Sequence, residues 1–385
     1  MFSKFRKRAP EAAPEGKAFA SRPVVAFHGA GRVAWSPRDT ASLTRTAFSG
    51  NPLGFRCVKM IAEAVAAVPV QVTVAGKAYD THPVVDLLKR PNGEQGRAEF
   101  FEGIVAHYLL AGDAFVQAAG EAGYPTALHV LRSDRVRIVP GADGWPAAYE
   151  YSVGGKKMEL PAEAVCHLRS FHPQDDHYGF SPLQAAAGAV DVHNAASRWS
   201  KALLDNAARP SGAIVYRGAE GDGVMTEAQF DRLRMELEGH HQGAANAGRP
   251  MLLEGGLDWK PMGFSPSDME FQKTKETAAR EIALAFGVPP MLLGMPGDNT
   301  YANYQEANRA FYRLTVLPLL ARIGERLGTW LGAFGGEAVT LVPDLDAVSA
   351  LAPEREAAWR RIADSDFLTE GEKRRLLGLP VAEER

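Results

Sequence analysis

Gly287-Val288-Pro289-Pro290 interrupts a stretch of otherwise helix-forming sequence, and that break dictates how residues 265–335 can fold. Gly287 can take the left-handed conformation that closes a helix, and two prolines remove the donor and the backbone freedom that a continuing helix needs. Upstream, Ser265 is placed as an N-cap, with Pro266 at the first helical position and Asp268 three residues on, so one helix is predicted from there to Gly287. Downstream, a second helix is predicted to open at Asn303, with Glu306 as its capping-box partner. Tyr304, Ala307, Phe311, Leu314, Leu317, Ile323, Leu327 and Trp330 then recur at three- and four-residue steps, which predicts a single apolar stripe. Phe311, Leu314 and Trp330 are read as packing residues. Pro318 interrupts the stripe, and because a helix-interior proline costs roughly 3 kcal/mol, a kink is predicted near Leu314 to Pro318. Residues 291–302 join the helices. Their Pro296, Gly297, Asp298 and Asn299 are turn formers and predict an ordered support with a mobile tip.

The remainder divides by periodicity. Phe55, Val58, Ile61, Ala62, Val65 and Val68 fall at helical spacing, and PVQVTV then alternates as a strand. Helices are predicted over 82–90, stopped by Pro91-Asn92-Gly93, and over 97–110, ending at Gly112 before the strand AFVQA. ALHVL, RVRIV, AAYEYSV and AVCHLRS read as further short strands, so residues 50–170 form an α+β unit. Residues 182–206 predict an alanine-rich helix, capped by Ser181, whose small side chains permit close helix approach. RPSGAIVY, a helix over 226–238 capped by Thr226, the flexible GHHQGAANAGRP and the strand MLLEGG follow. A strand VTLVP, a helix in APEREAAWRRIADSD and a last helix capped by Thr369 and Glu372 complete the pattern as a small helical cap.

Chemistry is sparse. Forty-three basic against 46 acidic residues give a net charge of −3, which argues against gripping nucleic acid through an overall basic surface. With 385 residues and 46% hydrophobic content, the chain can bury a large core in two or three structural units. Cys57 and Cys166 lack metal-type spacing and read as buried reduced thiols. Residues 1–49 read as a flexible arm without a signal-peptide core, and no run of 18 apolar residues predicts a membrane span. Gly29-Ala30-Gly31-Arg32-Val33-Ala34 matches a dinucleotide fingerprint, but Ser36-Pro37 forbids the helix it requires. No P-loop, zinc-protease, nucleophile-elbow or C-x-x-C motif occurs, and no cofactor is expected. His167, His172, Asp175, Asp176 and His177 could in principle hold a divalent metal, so a metal-dependent hydrolase is carried as an alternative. Asp175-Asp176, the pair Asp364 and Asp366, and the pair His240 and His241 read most simply as solvated groups.

The run IALAFGVPPMLLG, followed by NTYANYQEANRAFYRLTVLPLL, resembles the signature of portal proteins of tailed bacteriophages, the family typical of long-tailed phages and phage-derived gene transfer agents. NPLGFRCVKMIAEAVAAVPVQV, HPVVDLLKRPNGEQGRAEFFEGIVAHYLLAGDAFV and HLRSFHPQDDHYGFSPLQAA resemble the same family, which more often carries Asn where this chain has Asp113; only a local hydrogen bond is expected to change. The resemblance covers roughly 50–335. It implies an α+β portal fold: wing 50–181, stem helices 182–208 and 263–290 around a clip at 209–262, a tunnel loop at 291–302, a long kinked helix at 303–336 and a small crown at 337–385. It implies that Met295, Pro296, Gly297, Asp298, Asn299, Thr300 and Tyr301 face DNA, and that His240, His241, Gln242, Asn246 and Arg249 face clip partners. It further implies a non-enzymatic ring of twelve subunits that passes double-stranded DNA at a capsid vertex of a virion or virus-like particle assembled in the bacterial cytoplasm. The partners implied are the major capsid protein, the large terminase subunit and a head-tail adaptor. A different head-tail connector component is the second alternative.

Overall fold

The computed structural model describes residues 35–120, 123–205, 212–216, 226–240, 257–261, 267–297 and 300–379. Residues 36–385 form one compact unit. The nucleotide-fingerprint stretch 29–34 and the strand expected in MLLEGG lie outside the described residues.

The unit opens with a short helix α1 (Thr40–Leu43) that passes directly into a π turn over Thr44–Ser49, and Leu43 and Ala47 are fully buried. This corrects the expectation of a flexible arm through residue 49: two apolar side chains at helical spacing pin the segment to the core. Asn51 then caps α2 (Pro52–Ala67), accepting from the N–H groups of Leu53 and Gly54. Cys57, Val58, Ile61, Ala62 and Val65 face inward, whereas Phe55, expected in the stripe, is exposed and leans on Phe48.

Strand β1 (Val70–Val74) pairs on one side with the two-residue β2 (Lys77–Ala78). Helix α3 (Pro83–Lys89), capped by the His82 ring, and α4 (Arg97–Ala111), closed by Gly112 in the left-handed conformation, follow as predicted. Strands β3 (Asp113–Ala119), β4 (Ala127–Leu131), β5 (Val136–Pro140), β6 (Pro146–Val153), β7 (Lys156–Pro161) and β8 (Val165–Arg169) form two antiparallel sheets, ordered β4-β3-β8 and β5-β6-β7. β7 was not expected. Only Leu160 of KKMELP is buried, so this edge strand has almost no alternation to read.

Helix α5 (Pro182–Asp205) starts at a Ser181 cap that exchanges hydrogen bonds with Gln184. Strand β9 (Gly212–Tyr216), helix α6 (Glu227–His240) and strand β10 (Leu257–Pro261) lie between it and α7 (Ser267–Phe286), with β9 and β10 paired antiparallel. Beyond the break come α8 (Tyr301–Phe311), a π turn over Tyr312–Val316, and α9 (Leu317–Gly335). Strand β11 (Val339–Pro343) returns to pair with β1, bringing Val72 opposite Leu341. Residues 339–343 are therefore part of this sheet, which corrects a crown that begins at 337 and includes them; α10 (Ala352–Ala363) and α11 (Glu370–Leu376) follow as a helical cap.

The main core runs through α2, α4, the first half of α5, the end of α7 and α9. Leu320, Ile323 and Leu327 of α9 sit within it, fully buried with Ile61 and Phe100. A smaller core of Phe115, Leu131, Ile138, Tyr149 and Leu160 lies between the β4-β3-β8 and β5-β6-β7 sheets. Among the described residues no helix is long and apolar enough to cross a membrane.

Candidate functional site

The site is built on the helix pair α5 and α7, which pack along one another. Their shared face is small: Ala186, Ala187 and Val190 of α5, with Ala278, Ala279 and Ala283 of α7, are all buried, and short side chains let the two axes approach. Trp199, late in α5, stacks on Phe271, early in α7, with ring centroids 4.2 Å apart, so the helices run antiparallel. At the core end of α5, Asn51 Nδ2 lies 3.1 Å from His193 Nδ1 and donates to Asn194 at 2.9 Å, tying the pair to the start of α2.

Helix α7 ends as the sequence predicts. Gly287 has φ 67°, its N–H donates to the Leu284 carbonyl at 3.0 Å and that of Val288 to the Ala283 carbonyl at 2.9 Å, a Schellman closure. The Thr315 hydroxyl donates to the Gly287 carbonyl at 2.6 Å, clamping this end to the π turn of the following helix. Pro290–Leu293 forms one 3-10 turn, closed by Gly294 at φ 72°. From there the loop leaves the core. Met295 is half-buried, Pro296, Gly297 and Thr300 are exposed, and Tyr301 is 77% exposed. Asp298 and Asn299, the expected tip, lie outside the described residues. The loop's entry is not cation-free: Arg280 of α7 donates to the Pro296 carbonyl at 2.7 Å, a contact that sequence reading of the tip alone missed.

Two expectations about the following helix are corrected. Its cap is Thr300, whose hydroxyl accepts from Asn303 N–H at 3.2 Å, while Glu306 pairs with Arg309 instead of closing a box on Asn303. Leu314 is 76% exposed, not packed, whereas Phe311 and Trp330 are buried. The π turn supplies the reason: its wider step puts Val316, five residues after Phe311, into the position that helical spacing assigns to Leu314. Pro318, in the first turn of α9, lies immediately beyond this irregular turn. Tyr304, at the head of the expected stripe, is half exposed.

Of the clip residues, His240 ends α6, and His241, Gln242, Asn246 and Arg249 lie outside the described residues. Of the five residues of the metal alternative, three have side chains that are engaged separately, and the buried His177 Nδ1 has no hydrogen-bond partner. His167 pairs with Asp113 at 2.7 Å, the His172 ring accepts from Gln174 N–H at 3.1 Å, and Asp175 accepts from His177 and Tyr178 N–H at 2.7 and 2.9 Å, which lowers its pKa. Among the described residues, no group of three His, Cys, Asp or Glu side chains is placed to hold a metal. Burial pushes the Cys57 and Cys166 thiols up to about 12, leaving both as protonated core groups.

Asp113 does more than the single local bond expected of it. Buried at the start of β3, it pairs with His167 of β8 and accepts from Gly179 N–H at 2.9 and 3.0 Å, joining three segments that lead into α5. His167 in turn stacks on Phe115, with centroids 4.4 Å apart.

A profile of phage portal proteins matches residues 52–378. The chain belongs to the phage portal protein family. The probable portal protein of Streptomyces phage phiC31 is 27% identical over 355 residues, covering 85% of this chain and 76% of that one. A chain from the neck of a native gene transfer agent particle, computed with C12 symmetry, is 63% identical and superposes with a TM-score of 0.69 over 92% of this portal chain and 97% of that one. An HK97 family portal protein from Corynebacterium diphtheriae, 16% identical, shares the fold with a TM-score of 0.59 over 82% of this chain and 99% of its own. The mixed helix and strand architecture described above is thus the portal fold.

Proposed function

We propose that this portal family chain assembles into a ring at one vertex of a phage-like particle of the gene transfer agent type, and that DNA enters and leaves through the ring. The observation that carries the reading is the 63% identity, over nearly the whole chain, to a neck component of a particle computed with C12 symmetry. A head-to-tail contact repeated by rotation closes such a ring, and the C12 symmetry of that neck suggests twelve copies. In this reading residues 50–181 form the wing, α5 and α7 the stem, 209–262 the clip that meets the large terminase subunit and later a head-tail adaptor, and α10 with α11 the crown. The wing meets the major capsid protein. The chain acts as a conduit and not by catalysis, and it is assembled into particles in the bacterial cytoplasm.

Residues 291–302 are the proposed tunnel loop. Two helices close together at Gly287 and Thr315, and the loop between them projects Pro296, Gly297, Thr300 and Tyr301 from a firm base. A conduit must let DNA slide, and every phosphate paired with Lys or Arg adds affinity through counterion release. Residues 295–301 carry Asp298 and no cation of their own, and Arg280 at the entry is bonded to the Pro296 carbonyl. The test is packaging itself. In particles carrying Asp298→Lys, the rate at which DNA becomes nuclease-protected is expected to fall, and deletion of the chain is expected to leave particles without DNA. An unchanged rate contradicts the loop's contact with DNA, and full particles without the chain contradict the conduit.

A further inference from the structure

Between α9 and the β5-β6-β7 sheet lies a cleft of about 500 Å3 whose chemistry the conduit reading leaves unused. One wall is apolar, formed by Trp145, which is 69% exposed, with Pro146 and Tyr149. The lining also carries Arg169, Arg322 and Arg326. Each guanidinium is held by a neutral acceptor: Arg322 donates to the Tyr108 hydroxyl at 2.8 Å, Arg326 to the His167 carbonyl at 3.3 Å and Arg169 to the Asp176 carbonyl. Glu325 and Asp176 also line the cleft, yet among the described residues no carboxylate comes within 4.0 Å of any of the three arginines. Three positioned, uncompensated arginines beside exposed aromatic surface make a receptor for an anionic segment that also carries an apolar side chain.

The same chain presents such a segment elsewhere. In the turn between α10 and α11, Phe367 is 85% exposed and Asp364 and Asp366 precede it, both exposed and without an ion-pair partner among the described residues. With that exposure, Phe367 does not occupy the cleft of its own chain. Resting on the ring proposed above, we propose that the 364–367 turn of each copy seats in this cleft of the next copy, with Phe367 against Trp145 and Tyr149 and the two carboxylates on Arg322 and Arg326. Knob and cleft are different surfaces of one chain, so the contact is heterologous and repeats around a rotation axis. Aromatic and Arg residues at a desolvated centre are the residue types that carry interface affinity. A DNA backbone could satisfy the guanidiniums, but it has no counterpart for the apolar wall.

Charge reversal in complementary halves tests the contact in the full-length protein. One variant reverses the cleft (Arg322→Glu with Arg326→Glu) and the other reverses the knob (Asp364→Arg with Asp366→Arg). Each alone is expected to lose higher assembly by mass photometry. Mixed in equal amounts, the cleft of each accepts the knob of the other, so an even-numbered alternating ring is expected to form at the wild-type mass. This recovery also shows that both variants are folded. Phe367→Ser, which removes an exposed ring only, is expected to raise the concentration needed for assembly at least about tenfold. Variants that assemble alone like the wild type, or a mixture that stays monomeric while the wild type assembles, overturn the contact. Intact rings with reduced DNA retention in the cleft variant overturn it in favour of a nucleic-acid site. A wild type that never assembles instead contradicts the ring and removes this contact with it.

Discussion

Asp113 shows how much one side chain can organise. It sits at the start of β3, and its two oxygens reach residues 54 and 66 positions away in sequence, on β8 and in the segment before α5. Nothing in the local sequence announces those partners, which is why its role reads as a minor local bond until the fold brings them together. Asp113→Ala leaves the Gly179 N–H and the His167 ring without their acceptor, so a loss of about 2–3 kcal/mol in denaturant unfolding is expected. Asp113→Asn keeps an oxygen for Gly179 and offers a donor to His167, and should cost under about 1 kcal/mol. His193 supplies a pH-dependent counterpart. Burial, reinforced by Lys275, holds its pKa below the ordinary 6.5, and its Nδ1 faces Asn51 Nδ2, a donor. The unfolded chain therefore takes up the proton more readily, and stability falls as pH drops through 6.5 toward the depressed folded value. Unfolding midpoints between pH 7.5 and 5.5 should show this fall, and His193→Gln should flatten it.

Elements were legible where the signal was local. The Gly287 closure, the Ser181 and Thr369 caps and the strand-rich middle all depend on residues within a few positions of each other, and each is present as read. Leu314 was not legible because a π turn shifts the phase of everything after Phe311, and no residue type marks such a turn. The same helix carries a signal that a hydrophobic-stripe reading overlooks. Gly324, Gly328 and Gly332 recur at four-residue steps, and a Cβ on the first two would stand 2.9 Å from the Leu341 carbonyl oxygen and 2.7 Å from that of Val339. The bare face lets β11 lie directly on α9, which is how the last strand reaches β1. The corrected phase makes a contrast that chemical denaturation can check: Phe311→Ala should cost about 3–5 kcal/mol, whereas Leu314→Ser should stay within about 0.5 kcal/mol.

At the scale of the molecule, the function proposed for the loop rests on the copies of the chain that surround it in the proposed ring, and several residues around 291–302 are open to solvent in the single chain. Tyr301, Leu314 and Leu284 are all largely exposed, clustered in sequence around the break and the turn that clamps it. The family resemblance was carried by the motif around that break, and it extends over nearly all of the chain, as the match over residues 52–378 establishes. The oligomeric mass of the purified full-length protein, taken by mass photometry with negative-stain images of the same sample, tests the portal reading most directly. Rings with a central channel and the mass of twelve subunits are expected. A chain that remains a monomer or dimer at every concentration contradicts it.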